Sequence, residues 1–202
     1  MLRIGLTGSI GCGKSSLSNI LKKHDIPIID ADIKGREIYD NKELLKEIED
    51  TFGSSVINED GTLNRKNLGK IVFSDDAKLE KLNSLTHPAI RKMIKEDLDK
   101  YEKRGDKMAV IDAALLIEGD FMSMLDLVVV VTCSEDVQLK RVVLRDSCSE
   151  EDAMGRIKSQ MPQEEKVKYA DFVVDNSGTL NQLEEKTEEL IRKIEEKIEK
   201  GK

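Results

Sequence analysis

The chain is 202 residues long, 39% hydrophobic and 36% charged, with a formal net charge of −7. That length can bury one substantial core and carry insertions, while the acidic balance argues against nucleic acid as the main partner. The longest apolar run, Leu125 to Cys133, is interrupted by Asp126 and too short for a bilayer, so no membrane partner is expected. Met1-Leu2-Arg3 enters the first apolar stretch without a leader pattern. Cys12, Cys133 and Cys148 have neither metal-ligand nor disulfide-framework spacing, and Cys12 fills a free position of a glycine-rich loop, so a redox role is not expected of it. The expectation is a cytoplasmic protein, a monomer or a weak homo-oligomer.

Leu2–Thr7 predicts a short apolar strand and Ser16–Lys23 a helix. Between them GSIGCGKS, residues 8–15, spells Gly8, four free positions, then Gly13, Lys14 and Ser15, the phosphate-binding loop pattern. Strand, glycine loop and helix is the setting in which this pattern has a mechanism. Glycines let backbone N–H groups turn inward as an anion nest, and the helix N-terminus adds partial positive charge. Nucleotide phosphates are therefore expected on Gly8, Ser9, Ile10, Gly11, Cys12, Gly13, Lys14, Ser15 and Ser16. Lys14 would bridge the β- and γ-phosphates and the Ser15 hydroxyl would ligate a metal, so ATP and Mg²⁺ are the expected cofactors.

A second strand, Ile26–Asp30, leads to two carboxylates, Asp30 and Asp32. Residues 34–107 then read as helical and polar, with a turn at Asn58-Glu59-Asp60-Gly61 and a His87-Pro88 pair in which Pro88 suits the first turn of a helix. Strands follow at Met108–Asp112, at Leu127–Thr132 with four consecutive valines, and at Phe172–Asp175. Between the last two, residues 135–169 are helical and carry Arg141, Arg145 and Arg156 among lysines. From Leu180 onward, Leu180, Leu183, Leu190, Ile194 and Ile198 share one helical face. Heptads are too few for a coiled-coil seam, so a helix packed on the sheet is expected.

Short apolar strands alternating with helices predict an α/β fold: a five-stranded parallel sheet with helices on both faces. Residues 1–33, 108–134 and 170–202 make its core, residues 34–107 are too long for a crossover and form a helical insertion, and residues 135–169 form a second one. Ligands should gather at the carboxyl ends of the strands, where the loop, Asp30, Asp32 and Asp112 all fall. A GTPase would add a guanine-reading motif. Asp32-Ile33-Lys34-Gly35 fits the first GTPase element, but Asn41-Lys42-Glu43-Leu44 ends on Leu where that motif needs Asp. Carboxylates after the second strand and an arginine-rich second insertion suit a small-molecule kinase.

The chain resembles the dephospho-coenzyme A kinase family from Ile4 to about Asn176. The blocks that carry the likeness are LTGSIGCGKSS at the start, IIDAD at 28–32, FG at 52–53, DGTLNRKNLGKIVFSD at 60–75 and LTHPAIRKMI at 85–94. They continue with DAALLIEG at 112–119, QLKRVVLRD at 138–146, and RIKSQ followed by EEKVKYADFVVDN up to 176. Two positions depart from the family's habit: Ser9 stands where a glycine is usual, and Ala114 where a proline is usual. The resemblance implies a phosphate-loop kinase core, a helical substrate-binding insertion at 34–107 and a lid at 135–169. It also implies ATP-dependent phosphorylation of the ribose 3′-hydroxyl of dephospho-coenzyme A, the last step of coenzyme A synthesis.

Phosphoryl transfer asks mainly for positioning and charge neutralisation. Lys14, Asp32 and Arg141 are the candidate catalytic residues. Lys14 reaches the γ-phosphate, and Lys14→Ala is expected to abolish transfer and leave the fold intact. Asp32 orients and deprotonates the attacking hydroxyl, or else caps the helix that follows. Asp30 and Asp112 join Ser15 as metal residues, with Asp30 alternatively bracing the loop. Arg141 stabilises charge on the transferring group from the lid, and Arg145 helps to grip ATP. His87, Leu115, Leu116 and Glu118 join Asp32 as candidates for holding dephospho-coenzyme A. Another small-molecule kinase, or a nucleotide-dependent switch without an acceptor, are the competing readings.

Overall fold

Residues Leu2–Gly8 form β1, and the chain turns through the glycine loop into α1 (Lys14–Lys23). α1 starts two residues before the apolar periodicity does, because Lys14 and Ser15 carry no apolar signal. β2 is short, Ile28–Asp30, which corrects the expected start at Ile26. The Ile26 N–H bonds the Leu21 carbonyl at 3.2 Å in the exit from α1, where Asp25 takes φ 57°, and Pro27 has no N–H for a ladder. Then come α2 (Ala31–Glu37), α3 (Lys42–Phe52), α4 (Arg65–Val72), α5 (Asp76–Arg104), β3 (Met108–Asp112) and β4 (Leu127–Thr132). The chain continues through α6 (Glu135–Asp146), α7 (Glu150–Lys158), α8 (Gln163–Val167), β5 (Phe172–Asp175) and α9 (Leu180–Lys200). The structure, a computed structural model, describes residues 1–119 and 121–200. Asp120, Gly201 and Lys202, which the expected core segments include, lie outside the described residues.

The five strands make one parallel sheet in the order β2-β3-β1-β4-β5. β1 lies inside it, with Ile4 in register with Val110 of β3 and Leu127 of β4. On one face Ile4, Leu6, Val129 and Val131 pack with Leu17, Ile20 and Leu21 of α1 and with Leu183, Leu190 and Ile194 of α9. The alternate residues Gly5, Ile111, Val128 and Val130 are buried too. Burial on both faces is why these strands read as unbroken apolar runs. Gly5 makes room for its neighbours there: a methyl at that position would meet Leu125 Cδ1 at 2.5 Å and Leu116 Cδ2 at 2.6 Å. In α9 the expected apolar stripe is shifted. Leu180 is 58% exposed, whereas Thr187 is fully buried and donates to the Leu183 carbonyl at 2.6 Å.

The chain divides into two compact units, Met1–Ile29 with Lys100–Lys202, and Asp30–Asp99. The second has its own core of Ile38, Leu44, Ile48, Val56, Leu68 and Val72. In it Asn41 caps α3, accepting from Glu43 N–H at 2.9 Å and from Leu44 N–H at 3.2 Å, which explains why Asn41-Lys42 mimics a guanine motif. α5 runs through Pro88, against the expectation that Pro88 opens a helix. Proline costs the ladder one bond, to the Ser84 carbonyl. Leu82, Leu85, Ala89, Ile90 and Met93, packed on the unit's core, hold the helix on both sides of the break. Among the described residues no helix is long and apolar enough to cross a membrane.

Candidate active site

The carboxyl end of β1 passes directly into the loop, whose turn closes with Cys12 N–H on the Ser9 carbonyl at 3.1 Å. Gly11 and Gly13 take φ 80° and 88°, the left-handed region that side chains avoid. Space forbids a side chain as well. A methyl on Gly11 would meet the Gln138 carbonyl at 2.9 Å, and one on Gly13 would collide with the Asn176 amide nitrogen. α1 starts on Gly13 with no side-chain cap, which leaves its first amides to a ligand. Gly13→Ala is expected to destabilise the protein by about 1–3 kcal/mol, read as a lower midpoint in urea. An unchanged midpoint would contradict the left-handed turn.

Four amide side chains lace this loop in place. Gln138 of α6 donates to the Ile10 carbonyl at 2.8 Å, and Gln160 accepts from the Ile10 N–H at 2.8 Å. Gln163 accepts from Cys12 Sγ at 3.2 Å, and Asn176 donates to the Cys12 carbonyl at 2.8 Å. Ser9 adds a bond from its hydroxyl to the Met161 carbonyl at 3.4 Å, so the departure at this position is accommodated. These residues escaped sequence reasoning. Their one trace is that Gln138, Gln160 and Asn176 stand at the ends of three of the family blocks.

Lys14 donates to Asp112 Oδ1 and Ser18 to Asp112 Oδ2, at the carboxyl end of β3. Both charges are largely withdrawn from water, with side chains 17% and 6% exposed. A cavity of about 450 Å³ opens over the loop and is lined by Lys14, Ser15, Arg141, Arg145 and Gln160 among others. Among the described residues Arg141 Nη1 is buried with no hydrogen-bond partner. A buried cationic donor without an acceptor is costly, and an anion in the cavity removes that cost. Arg145 grips Asp146 through Nε at 2.7 Å and Nη2 at 3.1 Å, and Arg156 of α7 reaches the same carboxylate at 2.5 Å. Arg145 first, then Arg156, holds the Asp146 carboxyl down at about 2. That bridge ties α7 to α6.

The other candidates are distributed as follows. Asp30, and not Asp32, caps α2, accepting from the Ile33 N–H at 2.9 Å; Asp32 lies exposed in the first turn. His87 is half-buried on α5. Leu115 is 55% exposed, whereas Leu116 is fully buried and belongs to the packing around Gly5. Glu118 accepts from Lys166 Nζ at 2.7 Å, and this lysine is 1% exposed. The Ala114 carbonyl accepts from the Thr7 hydroxyl at 3.2 Å and from Lys166 at 3.4 Å, bonds that ask nothing of the side chain at that position. Among the described residues no group of three or more His, Cys, Asp or Glu is placed to hold a metal ion. A site for Mg²⁺ built on one hydroxyl and one carboxylate needs no such group, because phosphates and waters supply the other ligands. Ser15 and Asp112 fit that donor set.

A family model described as Dephospho-CoA kinase matches residues 2–182. The Dephospho-CoA kinase of Lactobacillus johnsonii is 41% identical over 192 residues, which is 95% of this chain and 97% of that protein. A crystal structure from Thermus thermophilus superposes with a TM-score of 0.82 at 31% identity, covering 95% of this chain and 97% of that one. The Dephospho-CoA kinase of Campylobacter jejuni follows with a TM-score of 0.72 at 29% identity, covering 95% and 96%. Over nearly the whole length of the chain these likenesses carry one conclusion: it belongs to the dephospho-CoA kinase family, a family of phosphotransferases.

Proposed function

We propose that the chain transfers the γ-phosphoryl group of ATP to the ribose 3′-hydroxyl of dephospho-coenzyme A, releasing coenzyme A and ADP. The observation that carries this reading is the buried Arg141 Nη1, without a partner among the described residues, on a cavity walled by the phosphate loop. Backbone amides at the start of α1 receive the phosphates. Lys14 exchanges Asp112 for the γ-phosphate, and Arg141 neutralises charge as the phosphoryl group moves. Arg145 grips the nucleotide from the same helix. Ser15 and Asp112, with Asp30 as a further carboxylate, would hold Mg²⁺, which supplies charge neutralisation on the phosphate oxygens when bound. Ser18 keeps Asp112 oriented once Lys14 has left it.

Asp32 orients the 3′-hydroxyl and takes its proton; its exposed place in the first turn of α2, two residues after the strand end at Asp30, supports that role. His87, Leu115 and Glu118 are the remaining acceptor contacts, and the burial of Leu116 removes it from that set. Asp32→Asn is expected to lower turnover by about 10²-fold or more with the ATP dissociation constant nearly unchanged. Collapse of ATP affinity instead would make Asp32 a metal or structural residue. The test of the whole reading is ADP release from ATP and Mg²⁺ with and without dephospho-coenzyme A, beside a panel of nucleosides and nucleotides. Stimulation by dephospho-coenzyme A, with coenzyme A as product, is expected. Preference for another acceptor would overturn the substrate, and acceptor-independent release would overturn the transfer.

A further inference from the structure

Cys12 of the phosphate loop and Cys133, directly after β4, are 121 positions apart in sequence, yet their sulfurs lie 3.6 Å from each other. Both are free thiols. Gln163 clamps the pair: its Oε1 accepts from Cys12 Sγ at 3.2 Å and from Cys133 N–H at 2.9 Å, while its Nε2 donates to the Cys133 carbonyl at 3.1 Å. The two sulfurs are not equivalent. Cys12 is fully buried, and its hydrogen bond with Cys133, together with burial, pushes its thiol up. The same bond, with the Arg141 guanidinium nearby, holds the Cys133 thiol down against burial and the charge of Asp175. Cys133 is 7% exposed and lines an open groove of about 430 Å³ beside Ser134, Glu135 and Glu164. A thiol held down beside an arginine, and reachable from a groove, is the reactive kind.

We propose that Cys133 and Cys12 form a reversible disulfide under peroxide, and that this bond switches the phosphate loop off. The Cys133 thiolate attacks one oxygen of hydrogen peroxide, the O–O bond breaks, hydroxide leaves, and Cys133 becomes a sulfenic acid. The Cys12 thiol then attacks that sulfur. The S–S bond forms, the S–O bond breaks, and the departing hydroxyl takes the Cys12 proton and leaves as water. Two thiols lose two electrons, and peroxide gains them. A disulfide needs sulfurs about 2.05 Å apart, so the present pair must close by roughly 1.5 Å. Cys12 sits between two left-handed glycines with its carbonyl on Asn176, so the closure drags the residues that hold phosphate. Misplacement by about 1 Å costs on the order of 10²-fold in rate. The loss of turnover rests on the kinase reading; the formation of the bond does not.

The experiment treats the full chain with hydrogen peroxide, maps peptides without reductant, and measures turnover and ATP affinity before and after. A peptide joining Cys12 to Cys133 is expected, with Cys148 still a free thiol, turnover lowered on the order of 10²-fold, and both changes reversed by dithiothreitol. Cys148→Ser should keep the full response, and Cys133→Ser should lose the cross-link and the peroxide sensitivity together. Absence of the joined peptide, or a joined peptide with undiminished turnover and ATP affinity, would overturn the switch. So would equal inactivation of Cys133→Ser. If the reduced protein phosphorylates no dephospho-coenzyme A, the kinase reading fails, and the cross-link with the ATP affinity of the two forms still decides the switch.

Discussion

Arg141→Met is expected to lower turnover by about three orders of magnitude while making the nucleotide-free protein more stable. The two effects have one origin. Nη1 is buried and lacks an acceptor among the described residues, so the ligand-free fold carries an unmet desolvation cost. Methionine keeps an apolar side chain of similar length and deletes the charge, with a gain of about 1 kcal/mol. Turnover falls because the charge that the arginine neutralises exists fully only during transfer. Steady-state kinetics and a urea midpoint on the same preparation check the pair. A midpoint that falls along with turnover would make Arg141 a structural residue and remove it from the chemistry.

Lys14→Ala is expected to lose about 10³-fold in turnover and, contrary to the reading from sequence, to lose about 3 kcal/mol of stability. The structure supplies the reason. Asp112 is 4% exposed and has Lys14 and Ser18 as its donors, so removing the lysine leaves a buried carboxylate with one hydroxyl. The double variant Lys14→Ala with Asp112→Asn should recover most of the stability and none of the turnover, measured by urea unfolding and by ADP release. If the single variant is as stable as the parent, the ion pair contributes nothing and Asp112 is held by its other neighbours alone.

How far the sequence reaches is visible in particular residues. The strands Met108–Asp112, Leu127–Thr132 and Phe172–Asp175 were legible to the residue because each follows a polar residue, Lys107, Asp126 or Asp171, and ends on one, Asp112, Thr132 or Asp175. The loop was legible because its glycines are required by backbone angle and by close neighbours, and both requirements leave a mark in one short stretch. Gln138, Gln160 and Gln163 left no such mark. A glutamine on or beside a helix has no local periodic signature, and each finds its partner more than a hundred residues earlier. Lys166 was hidden for the same reason: a lysine in a charged segment reads as solvated, and only Glu118 and the Ala114 carbonyl explain its burial. Pro88 misled because a proline marks a helix start on average, whereas here apolar packing on both sides outweighs the one bond it removes.

The lacing of the glycine loop also fixes when, during synthesis, the protein can acquire its ligand. The loop is written in the first residues to emerge, but its shape is held by Gln138, Gln160 and Asn176, and the last of these follows β5, which itself must pair with β4. A nascent chain still lacking β5 and Asn176 carries the whole motif without the bond that Asn176 gives the Cys12 carbonyl. Nucleotide therefore stabilises most the chains that have completed the sheet and brought Asn176 to the loop.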